Sequence, residues 1–128
     1  MAGQSEYLGN HVLLDYSNYF PPMPEDGPWM LETLRSCVKY AGVREVHAHV
    51  EAFDGSVSPT GFAAVVLIDE SHVTAHCYSE RGLLAVDVFT CGESNPDHIA
   101  DKLDSLLVEA VPGIALDRRE RVPRFKGG

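Results

Sequence analysis

The chain has 128 residues, a length suited to one domain, and 45% of it is hydrophobic, including five Phe, five Tyr and one Trp. That apolar content supports a folded core and excludes general disorder. The formal net charge of −9 lacks the basic footprint that nucleic-acid binding needs, and no apolar run approaches the roughly 18–20 residues of a membrane span. Cys37, Cys77 and Cys91 are odd in number and form no C-x-x-C, and no secretory leader opens the chain. Free thiols in a reducing cytoplasm are therefore expected.

Asn10–Asp15 reads as a short strand. Pro21, Pro22, Pro24, Asp26 and Gly27 then make a loop, since proline fixes φ and removes donors. Pro28 suits the first position of a helix whose apolar residues Met30, Leu31, Leu34, Val38 and Ala41 recur at helical spacing up to Gly42. Glu45–Phe53 alternates as a strand, with Val46, Ala48, Val50 and Ala52 on one side. Asp54–Gly61 is a loop, and Phe62–Ile68 an unbroken apolar strand. His72–Tyr78 and Leu83–Phe89 are two more strands, joined by a hairpin at Ser79–Gly82. Asn95 caps a second helix from Pro96, with Asp97 in its first turn. A short strand is expected around Ile114–Leu116, and the basic tail Arg118–Lys126 is expected to fray.

The order β-α-β-β-β-β-α-β predicts an α+β fold, one mainly antiparallel sheet with both helices on one face. The other face then needs cover. The apolar runs at 62–68 and 83–89 predict that a second protomer supplies it.

Chemistry-bearing residues crowd into Asp69–Gly92, DESHVTAHCYSERGLLAVDVFTCG. A Ser/His hydrolase would need an oriented base, and no G-x-S-x-G is present. Zinc on His72, His76 and Cys91 is disfavoured, because positions 72 and 76 of one strand lie about 13 Å apart. No metal is expected.

Glu70-Ser71-His72, His76, Glu80, Gly82, Asp87 and Phe89-Thr90-Cys91-Gly92 follow one another without a gap. This run resembles the core of the bacterial S-adenosylmethionine decarboxylase family, small pyruvoyl enzymes of polyamine synthesis. Gly9-x-His11 and Arg119-Glu120-Arg121 extend the resemblance over most of the chain. It implies residues 1–128 as one pyruvoyl-decarboxylase domain. Self-cleavage between residues 70 and 71 would give a small N-terminal β chain and a pyruvoyl-bearing α chain. Ser71 Oγ would attack the Glu70 carbonyl, and elimination and hydrolysis would leave the pyruvoyl group. That group would form a Schiff base with the substrate amine. His76 resembles the processing base that removes the Ser71 α-proton, and Cys91 the general acid that reprotonates the substrate carbon. Glu80 matches a ribose-binding carboxylate and Tyr78 the family's Trp position. Phe53 and Tyr7 are candidate aromatic contacts, with cation–π attraction for a sulfonium. The resemblance also implies a homodimer whose sheets stack into an αββα sandwich.

Three departures stand out. Gly61-Phe62-Ala63-Ala64 replaces Gly-Val-Ser-Gly, so a processing hydroxyl is missing at Ala63, for which Ser58 or Thr60 could substitute. Cys77-Tyr78-Ser79 replaces Thr-Trp-Pro, and Asp54–Thr60 is longer by about four residues. Three functions are therefore open. The first is S-adenosylmethionine decarboxylase, the second a pyruvoyl decarboxylase of arginine or ornithine. The third is an uncut family member that binds or regulates.

Overall fold

The computed structural model describes residues 9–92 and 94–125. Strands β1 (Gly9–Ser17), β2 (Glu45–Phe53), β3 (Gly61–Ile68), β4 (Ser71–Tyr78), β5 (Leu83–Cys91) and β6 (Ala115–Arg124) form one sheet in the order β2-β3-β4-β5-β1-β6. Every neighbouring pair is antiparallel. Helices α1 (Asp26–Tyr40) and α2 (Pro96–Ala110) cover one face, α1 over β2 and β3, α2 over β1 and β5.

Helix α1 begins two residues before Pro28. Proline is tolerated there because first-turn N–H groups have no partner within the helix. Met30, Leu34, Cys37 and Val38 form its buried stripe, and Ile99, Leu103 and Leu107 that of α2. They close on Val12, Leu14, Val66, Val73, Val86 and Val88 from the sheet. Each such fully buried side chain stabilises the fold by roughly 1.5–3 kcal/mol. Asn95 caps α2 as expected, its side-chain oxygen accepting from the Asp97 amide at 3.0 Å. In β2 the register shifts between Glu45 and His47, which turns Val46 out to solvent and leaves Ala48 and Val50 on the core.

The tail departs from expectation. Instead of fraying, it continues as β6 to Arg124, paired with β1 along its whole length. No apolar alternation announces this strand, because its inward positions carry arginines. Arg119 reaches Asp97 at 2.7 Å and Asp101 at 2.8 Å, and Arg121 also pairs with Asp97. These contacts hold the Asp97 carboxyl below its usual range against the opposing effect of burial. Pro123 is accommodated because β6 is an edge strand.

The face away from the helices is bare in one chain. Register sorts its residues into rows across the strands. Cys91, Gly9 and Arg124 share the first. His47, Leu67, His72, Phe89, His11 and Val122 share the second, and His49, Val65, Thr74, Asp87, Leu13 and Glu120 the third. Glu51, Ala63, His76, Ala85, Asp15 and Arg118 follow, then Phe53, Gly61, Tyr78 and Leu83.

Candidate active site

Asp69 and Glu70 form the two-residue link between β3 and β4, whose ends Ile68 and Ser71 face each other. Links this short favour glycine or asparagine where the backbone turns left-handed. Here Glu70 takes that conformation, with φ 63°. For a non-glycine residue this costs on the order of 1–3 kcal/mol. The link cannot relax freely, because it is tied from outside. The Asp69 amide donates to the Arg44 carbonyl at 3.0 Å, and the Arg44 guanidinium pairs with the Asp69 carboxylate at 3.6 Å.

Cys91, the last residue of β5, meets the same segment with two groups. Its amide N–H donates to Ser71 Oγ at 3.1 Å. Its thiol donates to the Glu70 carbonyl oxygen at 3.6 Å. One residue thus holds a hydroxyl oxygen and polarises the adjoining carbonyl. A donor aimed at a carbonyl oxygen stabilises negative charge that develops there. The arrangement suits attack of Ser71 Oγ on the preceding peptide carbonyl.

A polar cluster flanks this corner. His11 Nε2 lies 3.2 Å from Asp87, and Arg124 approaches His11 Nδ1 at 3.4 Å. If Nε2 donates to the carboxylate, the neutral ring leaves Nδ1 to accept from Arg124. The Arg124 guanidinium also sits over the Phe89 ring, 5.6 Å from its centroid. Gly9 permits this crowding, since a Cβ there would lie 2.8 Å from that ring. Burial, then His11, lowers the pKa of His72, which shares a row with His11 and Phe89. Sequence reasoning gave none of His11, Asp87, Phe89 or Arg124 a role, although His11, Asp87 and Phe89 stand in the motifs that carry the resemblance; their convergence depends on pairing strands far apart in sequence.

A family model described as S-adenosylmethionine decarboxylase matches residues 10–116. The chain belongs to the S-adenosylmethionine decarboxylase family. It is similar to the S-adenosylmethionine decarboxylase proenzyme of Thermodesulfovibrio yellowstonii, 34% identical over 125 residues, covering 91% of this chain and 89% of that one. The proenzyme of Aquifex aeolicus is 32% identical over 105 residues, covering 82% of this chain and 73% of its own. A crystal structure of the adenosylmethionine decarboxylase from Aquifex aeolicus superposes with a TM-score of 0.66 at 28% identity. It covers 93% of this chain and 90% of that one.

In this member of the S-adenosylmethionine decarboxylase family, the remaining expected site residues gather elsewhere. Phe53, Gly61 and Tyr78 share the row farthest from Cys91, with Tyr78 48% exposed. Glu80 follows in the helical turn Ser79–Arg81. Phe53 lines an open cleft of about 450 Å³ with Asp54, Ser56, Val57 and Ser58. The turn closes tightly through Gly82 at φ 62°, where a Cβ would lie 2.5 Å from the Phe20 ring. Seven residue steps along β4 separate Ser71 from Tyr78, about 23 Å at 3.3 Å each. His76, beside Ala63 and Ala85 in register, stands five residues from Ser71, roughly 16 Å away. The structure therefore brings Glu70, Ser71 and Cys91 together, and Phe53, Tyr78 and Glu80 near one another. It does not join the two groups, or His76 to Ser71, within one chain. Tyr7 lies outside the described residues.

Proposed function

We propose that this chain is a proenzyme that cuts itself between Glu70 and Ser71 and then, as a pyruvoyl enzyme, decarboxylates S-adenosylmethionine to the aminopropyl donor for spermidine. The observation that carries the reading is the double hold of Cys91 on Ser71 and on the left-handed Glu70. Ser71 Oγ bonds to the Glu70 carbonyl carbon, and the peptide nitrogen leaves with the hydroxyl proton, giving an ester. Loss of the Ser71 α-proton then breaks the Cβ–O bond, so Glu70 departs as a carboxylate. Water releases ammonia from the remaining enamine through its imine form and leaves the pyruvoyl group. The residues fit that group: the hydroxyl of the serine it forms from is held by an amide, and a thiol stands beside the preceding carbonyl.

The pyruvoyl carbonyl supplies an electrophile for the substrate α-amine and a sink for the electrons left by departing carbon dioxide. Cys91 keeps a thiol proton near that position for the substrate carbon.

The separation of the two groups supports a site shared between copies. A second copy stacked on the bare face in the reverse direction brings its His76, Tyr78, Phe53 and Glu80 toward Ser71 and Cys91 of the first. That copy's His76 then takes the α-proton of Ser71. The cysteines, free in the described structure, suit a reducing cytoplasm. No helix among the described residues is long and apolar enough to cross a membrane.

Ala63 stands beside His76 in register and carries no hydroxyl. Ala63→Ser is expected to speed self-cleavage about fivefold, the worth of one hydrogen bond of about 1 kcal/mol. A time course of intact mass measures it, and an unchanged rate removes the need for that hydroxyl. Substrate choice is tested by carbon dioxide release from carboxyl-labelled S-adenosylmethionine, arginine and ornithine. Release from the first is expected. Release only from an amino acid would transfer the assignment to it, and Tyr78 would be the first residue to examine.

A further inference from the structure

Five of the six histidines of the chain, His11, His47, His49, His72 and His76, lie on the bare sheet face. Three of them share a single row, in which His47, His72 and His11 alternate with Leu67, Phe89 and Val122. The row crosses all six strands one step from Cys91, so whatever covers this face also covers the row. We propose that protons gate the pairing of two copies through this face, with His72 as the central sensor: copies pair while the row is neutral and separate as it charges. The proposal rests on the reading that a second copy covers the face.

The incomplete site points to a second copy as the occupant, since Ser71 and Cys91 lie at one end of the face and His76, Tyr78 and Glu80 toward the other. The row itself has the composition of a surface that is buried only when uncharged. Neutral imidazole can be enclosed beside Leu67 and Phe89 if its N–H finds an acceptor, whereas an enclosed imidazolium without a partner is costly.

The surroundings of His72 favour the neutral form. β1 presents His11, with ring centroids 6.1 Å apart, and β5 presents Phe89 at 5.6 Å. β3 contributes Leu67, and His47 of β2 lies beyond it. Arg124 of β6 adds a fixed positive charge. The carboxylate of Asp87 opposes it, but already engages His11 at 3.2 Å. Thr74 on β4 and Glu70 in the link before it flank His72, and among the described residues no carboxylate forms an ion pair with it. Burial is the largest cause of its lowered pKa in the single chain, and covering the face removes more water.

A histidine whose pKa is lower in the pair than in the free copy has a definite sign. Pairing is at full strength above the free-copy pKa and weakens as pH falls through it, because separation takes up protons. With one His72 in each copy, up to two protons enter per separation, so the dissociation constant can rise by up to about 100-fold per pH unit.

Sedimentation equilibrium of the whole protein between pH 7.5 and pH 5.5 tests this. The dissociation constant is expected to rise at least tenfold over that range, and His72→Gln, which keeps the shape without the charge, should flatten the rise. A monomer at pH 7.5 would overturn the underlying reading of a shared site. A dimer of constant affinity would overturn the gate while leaving that reading standing. An undiminished rise in His72→Gln would overturn the assignment to His72. If that variant fails to fold by circular dichroism, His72→Asn takes its place under the same criteria.

Discussion

Ser71→Ala is expected to leave the chain whole, while the native protein becomes two fragments. Alanine has no oxygen to attack the Glu70 carbonyl, and the Cys91 amide loses its acceptor. The variant should keep its fold, because one part-buried hydrogen bond is worth only about 1 kcal/mol. Intact mass reads the result directly. Native protein should give residues 1–70 and a 58-residue partner, Ser71–Gly128, whose first residue lacks an amine and reacts with a hydrazide. The variant should give one unlabelled mass and no carbon dioxide release. Fragments ending at Glu70 in the variant, or a native chain uncut after prolonged incubation, would refute self-cleavage by Ser71. The second of these outcomes would favour the binding or regulatory reading.

The second large effect is restoration of cleavage by mixing two uncut variants. His76→Ala keeps Ser71, Cys91 and the strained Glu70, and Ser71→Ala keeps His76. Because His76 stands roughly 16 Å along β4 from its own Ser71, neither variant alone should process. Co-expressed in equal amounts they should pair at random. About half of the His76→Ala chains would then face an intact His76 from the other variant and be cut. Distinct masses identify which chain was cut. A mixture that remains whole would exclude a shared site. Cleavage of His76→Ala on its own would remove His76 from the proton transfer.

Much of the fold was legible because its signals are local. Asn95, Pro96 and Asp97 announce α2, and the spacing of Met30, Leu34 and Val38 announces α1. β6 was legible only at its start, where a strand was expected around Ile114–Leu116, since its later inward positions are arginines that bind Asp97 and Asp101 of α2, more than fifteen residues away in sequence. The outward turn of Val46 escaped for a similar reason, as a register shift leaves no mark on alternation. Within the site, Ser71, Glu70 and Cys91 were legible as a motif. The left-handed turn at Glu70 was not, because glutamate has no preference for it. The division of the site into two ends needed the registers of β3, β4 and β5 together. So did the histidine row, whose members come from three strands.

The strand order carries one more consequence. The proposed cleavage after Glu70 would part the chain into a piece holding β1, α1, β2 and β3 and a piece holding β4, β5, α2 and β6. In space the pieces remain interleaved. β1 lies between β5 and β6, both from the other piece, and β3 stays zipped to β4. Valines and leucines of each half also complete the other's core, Val12 and Leu14 beside Val86 and Val88. Such a nick would change a chain end while the halves stay clasped. What it removes is the tether. Once the processed protein is unfolded, its two pieces must find each other by diffusion, so recovery becomes a second-order event that dilution slows. Maturation is in this sense a one-way commitment of the fold.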